Sequence, residues 1–172
     1  MQLKTLLLPL SLAAVAIADG ESVLAAITEI GDESLVLNDV ISSWNGHLLT
    51  AIPIIFQSTS LLSTINDGTE TAEASENLTL AESIQVATAV TELQTSVNTT
   101  LETTIARKPD FDKLLLSTTI LLSLNQLKDA SGEFSDALVS KLPEALQPTG
   151  ESLAAEIEDS FNYAISIYNP FD

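Results

Sequence analysis

Cysteine is absent from the 172-residue sequence, and histidine and tryptophan occur once each, as His47 and Trp44. Without cysteine the chain can form no disulfide framework, no cysteine nucleophile and no Cys/His zinc site. A serine triad would have to use His47, and no Gly-x-Ser-x-Gly elbow exists because no two glycines lie four residues apart. Phosphate-binding loops with a Walker lysine are also missing. No catalytic residue, metal site or cofactor is therefore predicted, and the protein is not expected to be an enzyme.

Basic residues are also scarce, because six Lys and Arg stand against 24 Asp and Glu, for a net charge of −18. None of the six lies between Asp19 and Ala106. A surface this acidic repels nucleic acid and anionic membranes, so nucleic acid is not an expected partner. Glu70, Glu73 and Glu76 would share one helical face, but no His or Cys accompanies them. They are interpreted as acids placed ahead of a helix, where its dipole favours them, and not as metal ligands.

The first 18 residues are predicted to be a secretory signal peptide. Lys4 precedes the apolar run LLLPLSLAAVAI, which is short for a membrane span, and Ala16-Ile17-Ala18 is a small-x-small cleavage site. Residues 19–172 are then expected to form one domain, with no integral membrane segment after cleavage. The sequence ends without a hydrophobic tail, so a GPI anchor is not expected. Secretion makes the sequons at Asn77 and Asn98 candidate glycosylation sites.

Apolar residues recur at helical spacing along the chain, without the alternation typical of strands. The first predicted helix ends at Asn45-Gly46, and the second runs from near Thr50 to a stop at Asn66-Asp67-Gly68. The third predicted helix runs from Thr79 to Pro109. The fourth runs from a cap at Asp110 or Asp112 to a break at Pro143, and the fifth runs from about Glu151 to Tyr168. This pattern predicts an all-α fold, a bundle of about five amphipathic helices with an aliphatic core. Trp44 would be a packing anchor with its indole N–H bonded near the surface, and His47 a loop residue at a corner shaped by Gly46 and Pro53.

Four segments, in this order, resemble the fungal hydrophobic surface-binding protein A family, which includes the cell-wall galactomannoproteins. They are the Trp-Asn-Gly corner with LLTAIPI, then IARKPDFDKLLL, LNQLKDASGEFSDALVSKLP and IEDSFNYAISIY. The resemblance implies secretion or wall association, adsorption to hydrophobic surfaces and, in some members, fatty-acid binding inside the bundle. Wall-anchored relatives often carry a Ser/Thr-rich tail and a GPI signal, which this sequence lacks. A soluble secreted glycoprotein, associated with the cell wall only non-covalently, is therefore expected.

The residue pattern agrees with a lipid site, because the predicted core has few rings and carries Ser34, Ser58 and Ser131 on apolar stripes. Small-molecule sites are generally apolar cavities with a few polar groups. The hypothesis is that the bundle encloses a lipid tail and a stripe hydroxyl meets its carboxylate; the alternative is that each serine bonds the carbonyl one turn back. The residues predicted to line this cavity are Ile27, Ile30, Ser34, Leu37, Ile41, Phe56, Ile84, Val97, Leu101, Ile120, Leu124, Leu127, Ser131, Phe134, Ile157 and Phe161.

Three functions stay open at this point. The first is a lipid or hydrophobic-surface binding module, with a fatty acid, a hydrophobic solid and a secreted hydrolase as candidate partners. Adsorption would follow if the bundle opened and laid its inner faces on the solid, at roughly 25 cal/mol per Å² of apolar area. The second is a structural or antigenic wall mannoprotein with a filled core and no ligand. The third, a two-carboxylate hydrolase, is least favoured because only 5% of the residues are aromatic and glycosidases use Trp and Tyr platforms.

Overall fold

A computed structural model describes residues 19–169, so the predicted signal peptide lies outside the described residues. Every regular element in this range is a helix: α1 (Asp19–Ser43), α2 (Ile52–Ala74), α3 (Leu80–Ala106), the short α4 (Lys108–Lys113), α5 (Ser117–Lys141) and α6 (Gln147–Tyr168). Short 3-10 turns, Leu48–Ala51 and Glu144–Leu146, lead into α2 and α6. The predicted all-α bundle of five long helices is confirmed, with α4 as a short addition.

The five long helices form a closed ring. The first helix, α1, packs between α2 and α3; α2 also packs against α5, α5 against α6, and α6 returns to α3. Each amphipathic helix turns its apolar stripe toward the common axis, where the buried aliphatic residues form one core. The contact between α3 and α6 is the least extensive of the five.

The α1–α2 corner is built around Trp44, as predicted. Its indole N–H donates to the carbonyl oxygen of His47 at 3.0 Å, and its ring stacks on Phe111 with the centroids 4.7 Å apart. The guanidinium carbon of Arg107 lies 5.4 Å from the centroid of the Trp44 ring. His47 is exposed, and Gly46 has φ +80°, a conformation that glycine adopts without steric cost. This corner is therefore architectural.

The predicted stop at Asn66-Asp67-Gly68 is wrong, because α2 continues to Ala74. Gly68 is buried in the helix interior, where an added Cβ would lie 2.9 Å from Ile30 Cδ1 and 3.3 Å from the Phe134 ring. This glycine lets α2 approach its neighbours and does not end the helix.

The true end of α2 also corrects the interpretation of the acidic segment. Glu70 and Glu73 lie in the last turns of α2, where the helix dipole does not favour them. The ammonium of Lys141 donates to the carbonyl oxygens of Glu73 and Ser75, both at 2.7 Å. A cation from the end of α5 thus satisfies the carbonyls at the end of α2.

The junction between α3 and α5 differs from the prediction too. Pro109 occupies the first turn of α4, where its missing N–H costs nothing, and α5 begins only at Ser117. Asp110 and Asp112 do not cap α5 and pair with lysines instead. The hydrogen bond from Lys113 holds the pKa of Asp110 below its usual value, and the hydrogen bond from Lys108 does the same for the pKa of Asp112.

The fifth long helix starts earlier than expected. It begins at Gln147 and not near Glu151, because Pro148 fits its first turn. Gly150 then lies inside the helix, where an added Cβ would be 2.7 Å from Leu142 Cδ1 and 3.0 Å from Val139 Cγ2. The absence of a side chain brings the start of α6 close to the end of α5.

Candidate functional site

An apolar cavity of about 60 Å³ lies on the axis of the ring. All five long helices contribute to its wall, and no charged side chain does. The lining residues are Ile30, Ser34 and Leu37 on α1, Leu61 and Ile65 on α2, Val90, Leu93, Val97, Thr100, Leu101 and Thr104 on α3, Leu124, Leu127, Ser131, Phe134, Ser135 and Leu138 on α5, and Ile157 and Phe161 on α6.

Most of the residues predicted to line a cavity lie on this wall. They are Ile30, Ser34, Leu37, Val97, Leu101, Leu124, Leu127, Ser131, Phe134, Ile157 and Phe161. Ile27, Ile41 and Ile120 are buried in the surrounding core but do not reach the cavity. Ser58 is also buried without lining it.

Two more of the predicted positions do not line this cavity. Phe56 is 73% exposed and Ile84 is 59% exposed, so neither contributes to the cavity. Phe56 lies on the outer face of α2, whose inward positions are taken by Ile54 and Ser58. In the first turns of α3 the buried residues are Ser83 and Val86, and Ile84 beside them is exposed.

Several wall residues were not in the predicted set: Leu61, Ile65, Val90, Leu93, Thr100, Thr104, Ser135 and Leu138. The leucines, Ile65 and Val90 follow the apolar periodicity of their helices and could have been included. Thr100 and Thr104 gave no such signal, because α3 is rich in threonine on all its faces.

The hydroxyl groups on the α1–α3 side of the cavity are paired with each other. Ser34 Oγ lies 3.1 Å from Thr100 Oγ1, which also donates toward the carbonyl oxygens of Ser34 and Ser96 at 2.8 and 2.9 Å. Thr104 donates to the Thr100 carbonyl at 2.7 Å. Ser34 was predicted to bind either a lipid carboxylate or the carbonyl one turn back. Its hydroxyl is instead paired with the Thr100 hydroxyl on α3.

A larger groove of about 580 Å³ opens beside the cavity, between the first half of α3, the end of α5 and the first half of α6. Ile84 lines this groove. Val90, Ser135, Leu138 and Ile157 line both the groove and the cavity, so these side chains form the wall between them.

A third depression, about 520 Å³, follows the outer side of the α5–α6 pair. Its charged lining residues are Lys128, Asp129, Glu133, Asp136, Glu151 and Glu158. Ser131, Ser135, Ile157 and Phe161 belong to both this acidic groove and the cavity. Within residues 19–169, no group of three or more His, Asp or Glu is placed to hold a metal ion.

An exposed apolar face extends over the 3-10 turn before α2 and the first turns of α2. Leu48, Leu49, Ile52 and Phe56 are between 49% and 79% exposed and recur at helical spacing. Residues 40–66 contain no Asp, Glu, Lys or Arg, although the chain is strongly acidic. By length and composition Leu48–Ala74 would be apolar enough to cross a membrane, but α2 packs against α1 and α5 as a helix of the bundle.

Comparison with known proteins identifies the family. The model of the family described as hydrophobic surface binding protein A matches residues 20–140. The chain belongs to this family. It is 27% identical over 149 residues to cell wall mannoprotein 1 of Aspergillus flavus, covering 87% of the chain and 54% of that protein. For cell wall mannoprotein 1 of Aspergillus fumigatus the identity is 26%, over 83% of the chain and 49% of that protein. The chain thus spans about half the length of these mannoproteins.

Solved structures share the fold. The crystal structure of AFMP4P in complex with palmitic acid has a TM-score of 0.85 at 26% identity, over 88% of this chain and 100% of that one. Ligand binding domain 1 of the Penicillium marneffei MP1 protein, complexed with arachidonic acids, has a TM-score of 0.83 at 18% identity, over 88% of this chain and 99% of that one. The helical ring is therefore the fold of these domains.

Proposed function

We propose that this chain is an extracellular fungal protein that takes the tail of a long-chain fatty acid into the cavity on the axis of its helical ring. The observation that carries the proposal is that all five long helices line this cavity with apolar side chains and hydroxyls alone. Such a lining suits a hydrocarbon tail and offers no acid–base chemistry. The palmitic acid held by AFMP4P, which has the same fold, supports this assignment.

A fatty acid requires more room than the cavity offers. Small-molecule sites usually measure about 300–1,000 Å³, whereas this cavity encloses about 60 Å³. The neighbouring groove of about 580 Å³ is within that range and shares a wall with the cavity. If Val90, Leu138 and Ile157 swing aside, the two volumes join, so the α3–α6 seam is the proposed route of access.

The experiment that tests this proposal is native mass spectrometry of the delipidated protein, titrated with palmitic and arachidonic acid. We expect a discrete lipid-bound mass. Leu127→Trp, which fills the cavity, should abolish it. Leu122 lies on the same helix but is 59% exposed, so the Leu122→Trp variant should bind the fatty acids like the unmodified protein. If the unmodified protein takes up no fatty acid, the proposal is refuted and the alternative, a structural mannoprotein with a filled core, is favoured.

A second function, binding to hydrophobic surfaces, is favoured by the outer face of Leu48, Leu49, Ile52 and Phe56. An exposed apolar patch in a stretch of sequence without charged residues is the kind of surface that adsorbs to an apolar solid or lipid interface. The family description supports this proposal. Adsorption through an outer face does not need the bundle to open, so it is compatible with lipid in the cavity.

Glycosylation fits Asn77 better than Asn98. Asn77 is exposed in the loop between α2 and α3, whereas Asn98 is half-buried inside α3 and the threonine of its sequon, Thr100, faces α1. We therefore propose Asn77 as the principal glycan site of an extracellular or wall-associated protein. Secretion, non-covalent wall association and recruitment of a secreted hydrolase stay predictions.

A further inference from the structure

The cavity wall contains two hydroxyl groups that have no hydrogen-bond partner in the described part of the chain. Ser34, Thr100 and Thr104 are all engaged with each other or with carbonyls. Ser131 and Ser135 make no such bond, although serines in helices commonly bond the carbonyl one turn back. They lie four residues apart on α5 and therefore on the same face of that helix.

These two hydroxyls lie where the cavity meets the surface. Ser131 and Ser135 line both the cavity and the acidic groove, and Ile157 and Phe161 of α6 face both volumes with them. From Ser135 the lining of α5 runs to Leu124, about 16 Å along the helix. A lipid with its head at the two serines could extend its tail along the interior of the ring.

The charges around this opening do not favour an anion. On α5 the groove presents Lys128, Asp129, Glu133 and Asp136, on α6 Glu151 and Glu158, and α3 brings Glu92 to the adjoining groove. Lys128 is the single cation among them, and its ammonium donates to Asn162 Oδ1 at 3.3 Å. An ionised carboxylate held at the serines would be repelled by this rim, whereas an uncharged head would not.

We propose that Ser131 and Ser135 form the head-group site for a lipid whose tail occupies the cavity joined to the neighbouring groove, and that this site selects by hydrogen bonding and not by charge. It takes an alcohol or a protonated acid in preference to an ionised carboxylate. Each serine hydroxyl can both donate to and accept from such a head. This inference rests on the proposed lipid binding and adds the chemical class of the preferred ligand.

The test is competition against a fluorescent fatty acid at neutral pH, where a carboxyl group is ionised. The competitors are 1-hexadecanol, palmitic acid and hexadecane, which share a tail and differ in the head. We expect the unmodified protein to bind 1-hexadecanol at least as tightly as palmitic acid. The double variant S131A/S135A should lose roughly 5- to 100-fold in affinity for 1-hexadecanol and less in affinity for palmitic acid. Its affinity for hexadecane should stay within about twofold of that of the unmodified protein.

Two variants serve as controls. S123A removes a hydroxyl from α5 outside the cavity wall and should change none of the three affinities. S131T/S135T keeps both hydroxyls and should retain the preference for the alcohol over hexadecane.

Each result has a defined meaning. An equal loss for all three competitors in S131A/S135A would mean that the serines shape the cavity without binding the head, which overturns the inference. Tighter binding of palmitic acid than of 1-hexadecanol by the unmodified protein would overturn the selection against charge. Binding of none of the lipids, including the fluorescent one, would refute the proposed function itself.

Discussion

Ser34 Oγ and Thr100 Oγ1 lie 3.1 Å apart, where α1 and α3 meet at the cavity wall. Thr100 Oγ1 also lies 2.8 and 2.9 Å from the carbonyl oxygens of Ser34 and Ser96, and either hydroxyl can be the donor within the pair. Both side chains are at most 5% exposed. The bond joins helices that are far apart in sequence, and it leaves neither hydroxyl free to hold a ligand.

Replacing Thr100 by Val should therefore weaken the fold without changing the choice of lipid head. Valine has nearly the shape of threonine but no hydroxyl, so the buried Ser34 hydroxyl loses its hydrogen-bond partner. This should lower the free energy of unfolding by about 1–3 kcal/mol. Urea denaturation measures this. Thr91→Val, on an exposed turn of the same helix, should stay within about 0.5 kcal/mol. A cost at Thr100 no larger than at Thr91 would contradict the role of the pair.

Gly68→Ala should destabilise the protein although alanine is the better helix former. The new methyl group would meet Ile30 Cδ1 at 2.9 Å and the Phe134 ring at 3.3 Å, and overpacking of this kind costs about 1–3 kcal/mol. Both neighbours line the cavity, so lipid affinity should also fall.

Gly132→Ala is the matched control, because nothing lies within 4 Å of its Cβ position in α5. It should raise the free energy of unfolding by about 0.5–1 kcal/mol. Thermal unfolding of the two variants side by side measures both effects. Stabilisation by both would show that Gly68 is not a close-packing residue.

The triple variant L49S/I52S/F56S should adsorb to hydrophobic silica several-fold less than the unmodified protein while binding fatty acid equally well. The three side chains are exposed, so their loss removes apolar contact with the solid and leaves the core intact. A quartz crystal microbalance measures the adsorbed mass. L35S/V36S, which alters exposed apolar residues on α1, should adsorb normally. Undiminished adsorption by the triple variant would favour opening of the bundle, with the inner faces on the solid.

Tyr168 makes stability depend on alkaline pH. Burial raises the pKa of Tyr168 well above its usual value of 10.0, and the charge of Asp112 adds to the shift. Because the folded state holds this proton more tightly, the contribution of the phenol to stability is complete below pH 10.0 and declines as pH rises through the folded pKa. Its hydroxyl donates to the Thr104 carbonyl at 2.6 Å.

Tyr168→Phe should thus cost about 1 kcal/mol at neutral pH, through loss of that hydrogen bond, and should show a shallower decline above pH 10.0. Tyr163→Phe, on an exposed site of the same helix, should follow the unmodified protein at every pH. Urea denaturation across alkaline pH gives both comparisons. Parallel declines for Tyr168→Phe and the unmodified protein would exclude the phenol as the source.

Local patterns were sufficient to predict the five long helices and the corner at Trp44. Each of these features depends on residues close in sequence. They are the apolar stripe of a helix, a glycine with positive φ and an indole N–H bonded to a residue three positions away. Gly68 misled the prediction, because its role depends on Ile30 and Phe134, which only the tertiary fold brings together.

The cavity was predictable in outline and less so in its polar residues. Apolar periodicity identifies most of the wall, but on α3 the inward positions Ser83, Thr100 and Thr104 are polar. The periodicity therefore assigned Ile84 to the cavity, whereas it lines the neighbouring groove. Nor could the sequence distinguish the engaged hydroxyl of Ser34 from the open one of Ser131, because the difference is a partner on another helix.

The closed ring of helices also has a consequence for how long the protein survives. With no cysteine in the chain, no covalent link limits how far the helices can separate. A lipid tail on the axis would contact all five long helices at once and act as the missing centre of the core. Ligand that binds only the folded state stabilises it by mass action, by about 2.7 kcal/mol at a hundred times the Kd. If the proposed lipid binding holds, loaded molecules would resist proteases longer than empty ones, so the lifetime of the protein would follow the supply of lipid.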